Sequence, residues 1–265
     1  MFVYIIYVVS TLVVSSLAKE CGLADLSKEN SFPWSVNIYE AEPNTNEYTF
    51  LCSGTALSSK LLLTAASCFS ANESKTKKFF INVGQKYKNW NSRLLTQEIS
   101  INNLTIPQKY IKGKYSNNIA IIRLGAEKKV DIRQPVCINW DNEYLDLSDE
   151  ANSPQFAIAV WHDDKNTAYQ IFHPSFLELD LCKYYLSATK KQQYLTYDKF
   201  CLELEGVNNV PTLGSGVYVL NKNTNRWYLI GITSEVTRGS SSIYISYIKI
   251  NTHLNWLSNV SFLDL

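Results

Sequence analysis

The feature of this chain that most limits its fold is a series of short apolar segments separated by polar turns. Each segment has four to six residues and is rich in residues such as Val, Ile, Tyr and Phe that favour extended backbone. Strands at this spacing predict an all-β sandwich or barrel. The segments are 35–39, 79–83, 119–124, 156–160, 217–220 and 227–232. Only at the C-terminus do Ile250, Leu254 and Leu257 recur at helical spacing, which predicts a terminal helix.

The N-terminus of the chain predicts export. Residues 2–17 are apolar except for four Ser and Thr residues, and the run is too short and interrupted for a spanning helix of about 20 residues. Residues 16–18 resemble a signal-peptidase site. We therefore interpret 1–18 as a cleaved signal peptide and 19–265 as a single secreted domain. The lack of basic residues before the run leaves a signal anchor as the alternative.

The cysteines of the mature chain agree with export. An even number of cysteines in a secreted protein favours disulfides, here three, and the absence of any C-x-x-C pair argues against a zinc ribbon. Spacing alone does not choose among the 15 possible pairings. The cysteines are Cys21, Cys52, Cys68, Cys137, Cys182 and Cys201. Three sequons mark candidate glycosylation sites at Asn72, Asn103 and Asn259.

The charge of the chain excludes two classes of partner. Lys and Arg number 25 and Asp and Glu 24, giving a net charge of +1. Nucleic acids and anionic membrane surfaces both require an excess of positive charge on one face. We therefore expect neither a nucleic acid nor a membrane as a partner.

Three segments, in this order along the chain, suggest a specific family. They read C-S-G-T-A-L at 52–57 leading into L-L-T-A-A-S-C at 62–68, N-N-I-A-I-I-R-L at 117–124, and L-G-S-G-V at 213–217. They resemble the C-G-G-[ST]-L-I…L-T-A-A-H-C, N-D-I-A-L-[IL]-[RK]-L and G-D-S-G-G-P patterns of the trypsin-like (chymotrypsin-fold) serine proteases. The resemblance implies two packed six-stranded antiparallel β-barrels, at about 30–140 and 141–249, followed by a helix at about 250–259.

The resemblance places the family's catalytic positions on residues that depart from its pattern. The histidine position holds Ser67, the aspartate position holds Asn118, and only the nucleophile position, Ser215, keeps its residue. A serine hydroxyl is a poor nucleophile near neutral pH unless a base takes its proton. Ser67 cannot serve as that base, and Asn118 carries no charge to orient one.

Other positions that the family uses also differ. Leu213 and Gly214 stand where the family has the glycine of its oxyanion hole and the aspartate of its activation latch, and no I-V-G-G start follows a basic residue between 21 and 32. In the specificity pocket, Asn209 replaces an acidic floor, while Val236 and Ser242 are expected to fill the space.

The resemblance also implies a disulfide pattern and an absence of metal. It pairs Cys52 with Cys68, Cys182 with Cys201, and Cys21 with Cys137. The loop that binds calcium in some members corresponds to 84–96, which contains no carboxylate. We therefore expect no metal and no cofactor.

These departures predict a secreted, non-catalytic serine protease homologue. The F-P-W segment at 32–34 and the implied Cys21–Cys137 pairing resemble homologues of the arthropod type. Such a protein acts by binding as a cofactor, decoy or regulator of extracellular proteolysis, or as a secreted effector. Its expected partner is a protease, a zymogen or a protease inhibitor. The alternatives are an active serine endopeptidase that uses Ser215 with a non-standard base, and a carrier that binds a small ligand in the cleft.

Overall fold

A computed structural model describes residues 21–25, 32–41, 47–69, 78–84, 87–89, 97–99, 101–113, 115–125, 132, 134–140, 154–161 and 168–261. The predicted signal peptide, 1–18, lies outside these ranges. Within them, no helix has the length and apolar character needed to span a bilayer. The described residues form two antiparallel sheets, which confirms the all-β expectation.

The first sheet contains the N-terminal strands. Its strand order is β5-β4-β1-β2-β3-β7-β6. Strand β1 pairs with β4 on one side and β2 on the other, and its first five residues are all buried, including the polar Ser35 and Asn37. The strands are β1 (Ser35–Ala41), β2 (Tyr48–Ala56), β3 (Leu61–Thr64), β4 (Phe79–Val83), β5 (Gln97–Ile99), β6 (Leu104–Thr105) and β7 (Ala120–Arg123).

The second sheet contains the C-terminal strands, in the order β10-β11-β14-β13-β12-β8-β9. Its longest member, β13, pairs with β12 along its first half and with β14 along its second half. The strands are β8 (Phe156–Val160), β9 (Gln170–Phe172), β10 (Ser175–Leu177), β11 (Lys199–Glu205), β12 (Gly216–Asn221), β13 (Arg226–Arg238) and β14 (Ser242–Lys249).

Each sheet has seven strands among the described residues, where six per barrel were expected. Among the described residues, the first and last strands of each sheet do not pair with each other. These end strands have two or three residues, such as β6 (Leu104–Thr105) and β9 (Gln170–Phe172). Strands this short contain too few alternations for a sequence pattern to reveal them.

The expectation that only the C-terminus is helical was wrong. Helix α1 (Leu179–Ser187) buries Cys182 and Leu186 one turn apart, but Leu181 and Tyr184 are exposed. Its outer face is therefore partly apolar, which hides the helical period. The terminal helix is confirmed. It begins with a 3₁₀ turn at Asn251–His253, continues as α2 (Leu254–Ser261) and ends two residues later than expected.

The two sheets share one aromatic core. The rings of Phe32 and Tyr218 are 4.6 Å apart, and the Tyr218 hydroxyl lies 2.9 Å from Thr55 Oγ1 of the first sheet. The Phe32 backbone N–H donates to the hydroxyl of Tyr169 at 2.8 Å. Buried hydroxyls thus find partners across the junction, as the interior requires.

The structure contains the three expected disulfides. Cys21–Cys137 attaches the N-terminal segment, Cys52–Cys68 joins β2 to the 3₁₀ turn after β3, and Cys182–Cys201 pins helix α1 to β11. Since each closes a loop, each restricts the unfolded chain, typically by about 2–4 kcal/mol of stability.

A buried carboxylate lies where the sheets meet. Asp198, directly before β11, has no exposed surface. Its Oδ2 accepts hydrogen bonds from the Asn117 backbone N–H at 2.7 Å and from His253 Nε2 at 3.3 Å. Its Oδ1 accepts from the Thr196 hydroxyl at 2.5 Å and from Lys199 Nζ at 2.9 Å. One carboxylate therefore joins β11, the terminal helix and the segment before β7.

The donors around Asp198 determine its charge state. Burial alone would raise the pKa of Asp198, but the hydrogen bond from His253 and the positive charge of Lys199 outweigh it and hold the pKa below its usual value. Lys199 is equally buried and also donates to the Tyr115 carbonyl oxygen at 2.7 Å. The segment 115–118 is thus bound to the second sheet at two backbone groups.

We predict that Lys199→Met lowers the free energy of unfolding by about 3–5 kcal/mol, because it leaves the buried carboxylate without its charged partner. The double variant Asp198→Asn/Lys199→Met should recover part of this loss. Urea denaturation measures both. Lys183→Met is the control, since Lys183 forms an exposed ion pair with Asp180, and should change stability by no more than about 1 kcal/mol. Equal losses for Lys199→Met and Lys183→Met would contradict the prediction.

Acid should weaken the fold through Asp198. A carboxyl whose pKa is lowered by folding stabilises the fold above its ordinary pKa of 3.8 and loses this contribution as pH falls toward the folded-state value. From about pH 5 downward, the unfolding free energy of the wild type should therefore fall more steeply than that of Asp198→Asn. Urea denaturation at a series of pH values tests this, and parallel curves would show that Asp198 is not responsible.

Candidate functional site at the junction of the sheets

The structure brings Ser67 and Asn118 together. Strands β3 and β7 pair up to Thr64 and Ala120, so the residues just beyond this pair meet at the sheet edge. Asn118 Nδ2 donates to Ser67 Oγ at 3.0 Å, and the Ser67 backbone N–H donates to Asn118 Oδ1 at 2.7 Å. Both partners are neutral amide or hydroxyl groups, which do not take up a proton near neutral pH.

The Ser215 side chain is hydrogen-bonded to a different residue, Thr233. It is only 3% exposed, and its Oγ is 2.9 Å from Thr233 Oγ1. Thr233 Oγ1 donates to the Ser215 carbonyl oxygen at 3.1 Å. The Ser215 hydroxyl is therefore hydrogen-bonded to another hydroxyl, which is not a base. The serine that the sequence retains is thus bonded to the neighbouring strand β13.

The backbone N–H groups of Gly214 and Ser215 are also hydrogen-bonded to carbonyl oxygens of the protein. The N–H of Ser215 donates to the Thr212 carbonyl oxygen at 3.1 Å, and the N–H of Gly214 donates to the Thr233 carbonyl oxygen at 3.0 Å. An oxyanion hole needs N–H groups that point at the reacting carbonyl. In this turn, the Ser215 N–H already has an internal acceptor.

Gly214 fits its position because it lacks a side chain. Its φ is +78°, and an added Cβ would lie 2.3 Å from the Ser53 carbonyl oxygen and 2.4 Å from Thr64 Oγ1. These two atoms are themselves hydrogen-bonded at 2.6 Å. The preceding residue, Leu213, accepts a hydrogen bond from the Ser53 N–H at 2.9 Å. The first sheet therefore packs directly onto this turn and leaves no room for an aspartate.

The three pocket positions lie on different elements. Val236 lies in β13 and packs against the core of the second sheet, and Ser242 is the buried first residue of β14. Asn209 is half-buried in the connection from β11 to β12. Arg238 Nη1 donates to the carbonyl oxygen of the adjacent Asn208, which ties this connection to the end of β13.

Four further side chains, from Tyr115, Lys191, Tyr194 and Glu235, lie near the pocket positions. Lys191 Nζ is 2.6 Å from Glu235 Oε1, and the ring centroids of Tyr115 and Tyr194 are 3.8 Å apart. A hydrogen bond with Tyr194 raises the pKa of Tyr115, and burial and the nearby charge of Glu235 add to the effect. No motif marks these residues, since the contacts join segments about 40 to 80 positions apart.

The histidines have other partners. His253 binds Asp198, and His173 Nδ1 lies 2.6 Å from the Phe156 carbonyl oxygen. His162 lies outside the described residues. Within the part of the chain that is described, no three His, Cys, Asp or Glu side chains are grouped to hold a metal ion.

The sequons differ in their surroundings. Asn259 is exposed on helix α2. Asn103 is half-buried, and its Nδ2, the atom that a glycan would modify, donates to the Arg123 carbonyl oxygen at 2.9 Å. Asn72 lies outside the described residues.

Comparisons with known proteins agree with the motifs. A family model described as Trypsin matches residues 24–257. The chain is also similar to the clotting factor G beta subunit of Tachypleus tridentatus, with 23% identity over 255 residues that cover 89% of this chain and 78% of that protein. The match thus extends over both sheets and most of the terminal helix.

We predict that Gly214→Ala destabilises the protein more than Gly206→Ala does. Both glycines have positive φ, +78° and +66°, but a Cβ at Gly206 would meet nothing within 4 Å. Backbone strain should cost about 1–2 kcal/mol in each variant, and overpacking should add about 1–3 kcal/mol at Gly214. Urea denaturation measures the difference. Equal losses would mean that the turn moves away from Ser53 at little cost.

Proposed function

Given that this chain belongs to the trypsin family, we propose that it is a secreted member that binds another extracellular protein and does not cleave peptide bonds. The observation that carries the proposal is the hydrogen bonding of Ser215. Its hydroxyl is hydrogen-bonded to the Thr233 hydroxyl, while the neutral Ser67–Asn118 pair fills the positions of the base and its orienting group.

Known energetics of the serine-protease mechanism support the absence of hydrolysis. Loss of the base, or of the group that orients it, lowers kcat by about 10⁴–10⁶ in such enzymes. Here both groups differ, the Ser215 N–H is bonded to Thr212, and an aspartate at 214 would meet the Ser53 carbonyl. Each difference acts on a separate part of the mechanism.

Two observations support a protein partner in an extracellular fluid, namely the paired cysteines and the similarity to a clotting-factor subunit. All six cysteines are paired, which is typical of proteins in oxidising extracellular fluids. The similar protein from Tachypleus tridentatus is named as a subunit of a clotting factor. A protease, a zymogen or a protease inhibitor is therefore the proposed partner, and regulation of extracellular proteolysis is the proposed role.

The active-peptidase alternative is tested by covalent labelling. We predict that a fluorophosphonate probe leaves Ser215 unlabelled in the folded protein, because no base takes the hydroxyl proton. The variant Ser67→His/Asn118→Asp should also stay unlabelled, because the Ser215 N–H remains bonded to Thr212. Mass spectrometry of the tryptic peptides is the readout, with an active trypsin as the positive control. Labelling of wild-type Ser215 that disappears in Ser215→Ala would overturn the proposal.

The binding role is tested by capture from the native fluid. The tagged secreted protein is crosslinked mildly, recovered and analysed by mass spectrometry, with a reduced and unfolded sample as the control. Specific recovery of a protease, zymogen or inhibitor supports the proposal. Saturable binding of a small ligand without any protein partner would favour the carrier function instead.

A further inference from the structure

The outer side of helix α1 carries a large share of the exposed apolar surface. Eight large apolar side chains are exposed among the described residues, and three of them belong to this nine-residue helix. Leu181 is 50% exposed and Tyr184 is 70% exposed. Single exposed apolar side chains are ordinary, but a cluster of them marks a surface that another molecule covers. We name four positions of this surface the stripe, namely Leu181, Tyr184, Tyr185 and Ala188.

The stripe has the periodicity of a helix that packs against a partner. Its members stand at positions i, i+3, i+4 and i+7, which places them along one side of the helix. The side that packs on the second sheet is a different one, carried by Cys182 and Leu186. The helix thus has one apolar side within the protein and a second at its surface.

The tyrosine rings of the stripe are supported by the sheet below them. The centroids of the Tyr184 and Tyr185 rings are 5.5 Å apart, and Tyr185 stacks on Tyr244 of β14 with centroids 4.3 Å apart. Tyr244 is buried, so this stack is anchored in the second sheet. A side chain whose orientation is fixed before association loses little conformational entropy on binding. Tyrosines of this kind are common at the centres of protein interfaces.

The charges at the two ends of the helix indicate what covers the stripe. Glu178 comes directly before α1 and Lys190 follows its end, each six residues from Tyr184. Both are exposed, and neither side chain lies within ion-pair distance of an opposite charge among the described residues. Roughly 15 Å of helix separates them, so they cannot pair within one chain. An antiparallel second copy of the helix, centred on Tyr184, brings each Glu178 to the Lys190 of the other copy.

We infer that the stripe is where a second copy of this chain docks, by antiparallel pairing of the two α1 helices about a two-fold axis at Tyr184. A two-fold axis makes every contact twice, so the attraction between Glu178 and Lys190 acts at both ends of the interface. Two faces of nine-residue helices are smaller than a standard stable interface of about 1,200–2,000 Å². The dimer is therefore weak and reversible. This inference does not depend on the proposed function, because it requires neither hydrolysis nor a protease as partner.

Charge exchange between copies tests the pairing. Sedimentation velocity from about 10 μM to about 1 mM covers the dissociation constants of weak interfaces. Glu178→Lys and Lys190→Glu should each raise the dissociation constant of the dimer about three- to tenfold, because each places like charges together at both ends. An equimolar mixture of the two single variants should return to the wild-type value, because every end contact of the mixed dimer then joins opposite charges. Lys222→Glu, exposed in the turn between β12 and β13, is the control for the change of net charge and should leave the constant unchanged.

Tyr184→Ser tests the centre of the interface. It should raise the dissociation constant at least about tenfold, as loss of a central tyrosine does. It should leave the urea midpoint of the monomer unchanged, because the side chain is mostly exposed.

Three results would overturn the inference. The first is a wild type that stays monomeric at about 1 mM. The second is association that Tyr184→Ser, the charge variants and their mixture leave unchanged, because another surface would then form the dimer. The third is a monomeric chain whose capture of a protein from the native fluid is lost in Tyr184→Ser, which would assign the stripe to that protein.

Discussion

The buried carboxylate of Asp198 is the interaction on which the arrangement of the two sheets depends. Desolvation opposes an ionised group at such a position, and four donors from different parts of the chain offset this cost. Among these donors, the backbone N–H of Asn117 is the one that concerns the site, since Asn118 follows it. The geometry at Ser67 therefore rests on an ionic contact made from the opposite sheet.

The polar groups of the junction serve structure throughout. Ser67 is paired with Asn118, Ser215 with Thr233, and the N–H of Gly214 with the Thr233 carbonyl. A catalytic site instead keeps some donors and acceptors available for the reacting atoms and tolerates strain to do so. Here these groups are hydrogen-bonded to one another, as expected if the proposal of binding without hydrolysis is right.

The sequence predicted what depends on local pattern or on family motifs. The short apolar segments predicted β1, β4, β7, β8, β12 and the first half of β13, and the disulfides follow from the resemblance. Helix α1 was missed because Leu181 and Tyr184 face outward and mask its period. In the sequence, the adjacent Asp198 and Lys199 look like a solvated pair of charges. Only the folded structure shows that both are buried and that His253 contacts Asp198. The contact of Lys191 with Glu235 was equally hidden in the sequence, since it joins residues 44 positions apart.

The packing around Gly214 limits which residues this turn can accept. An aspartate, which the family has at this position, would carry a Cβ where glycine has none. The Ser53 carbonyl and the Thr64 hydroxyl occupy the space into which its Cβ would project. An aspartate would thus fit only if the first sheet shifted as well. One close contact between the sheets therefore makes the acceptable residue at 214 depend on the positions of Ser53 and Thr64, so that the three positions can change only together.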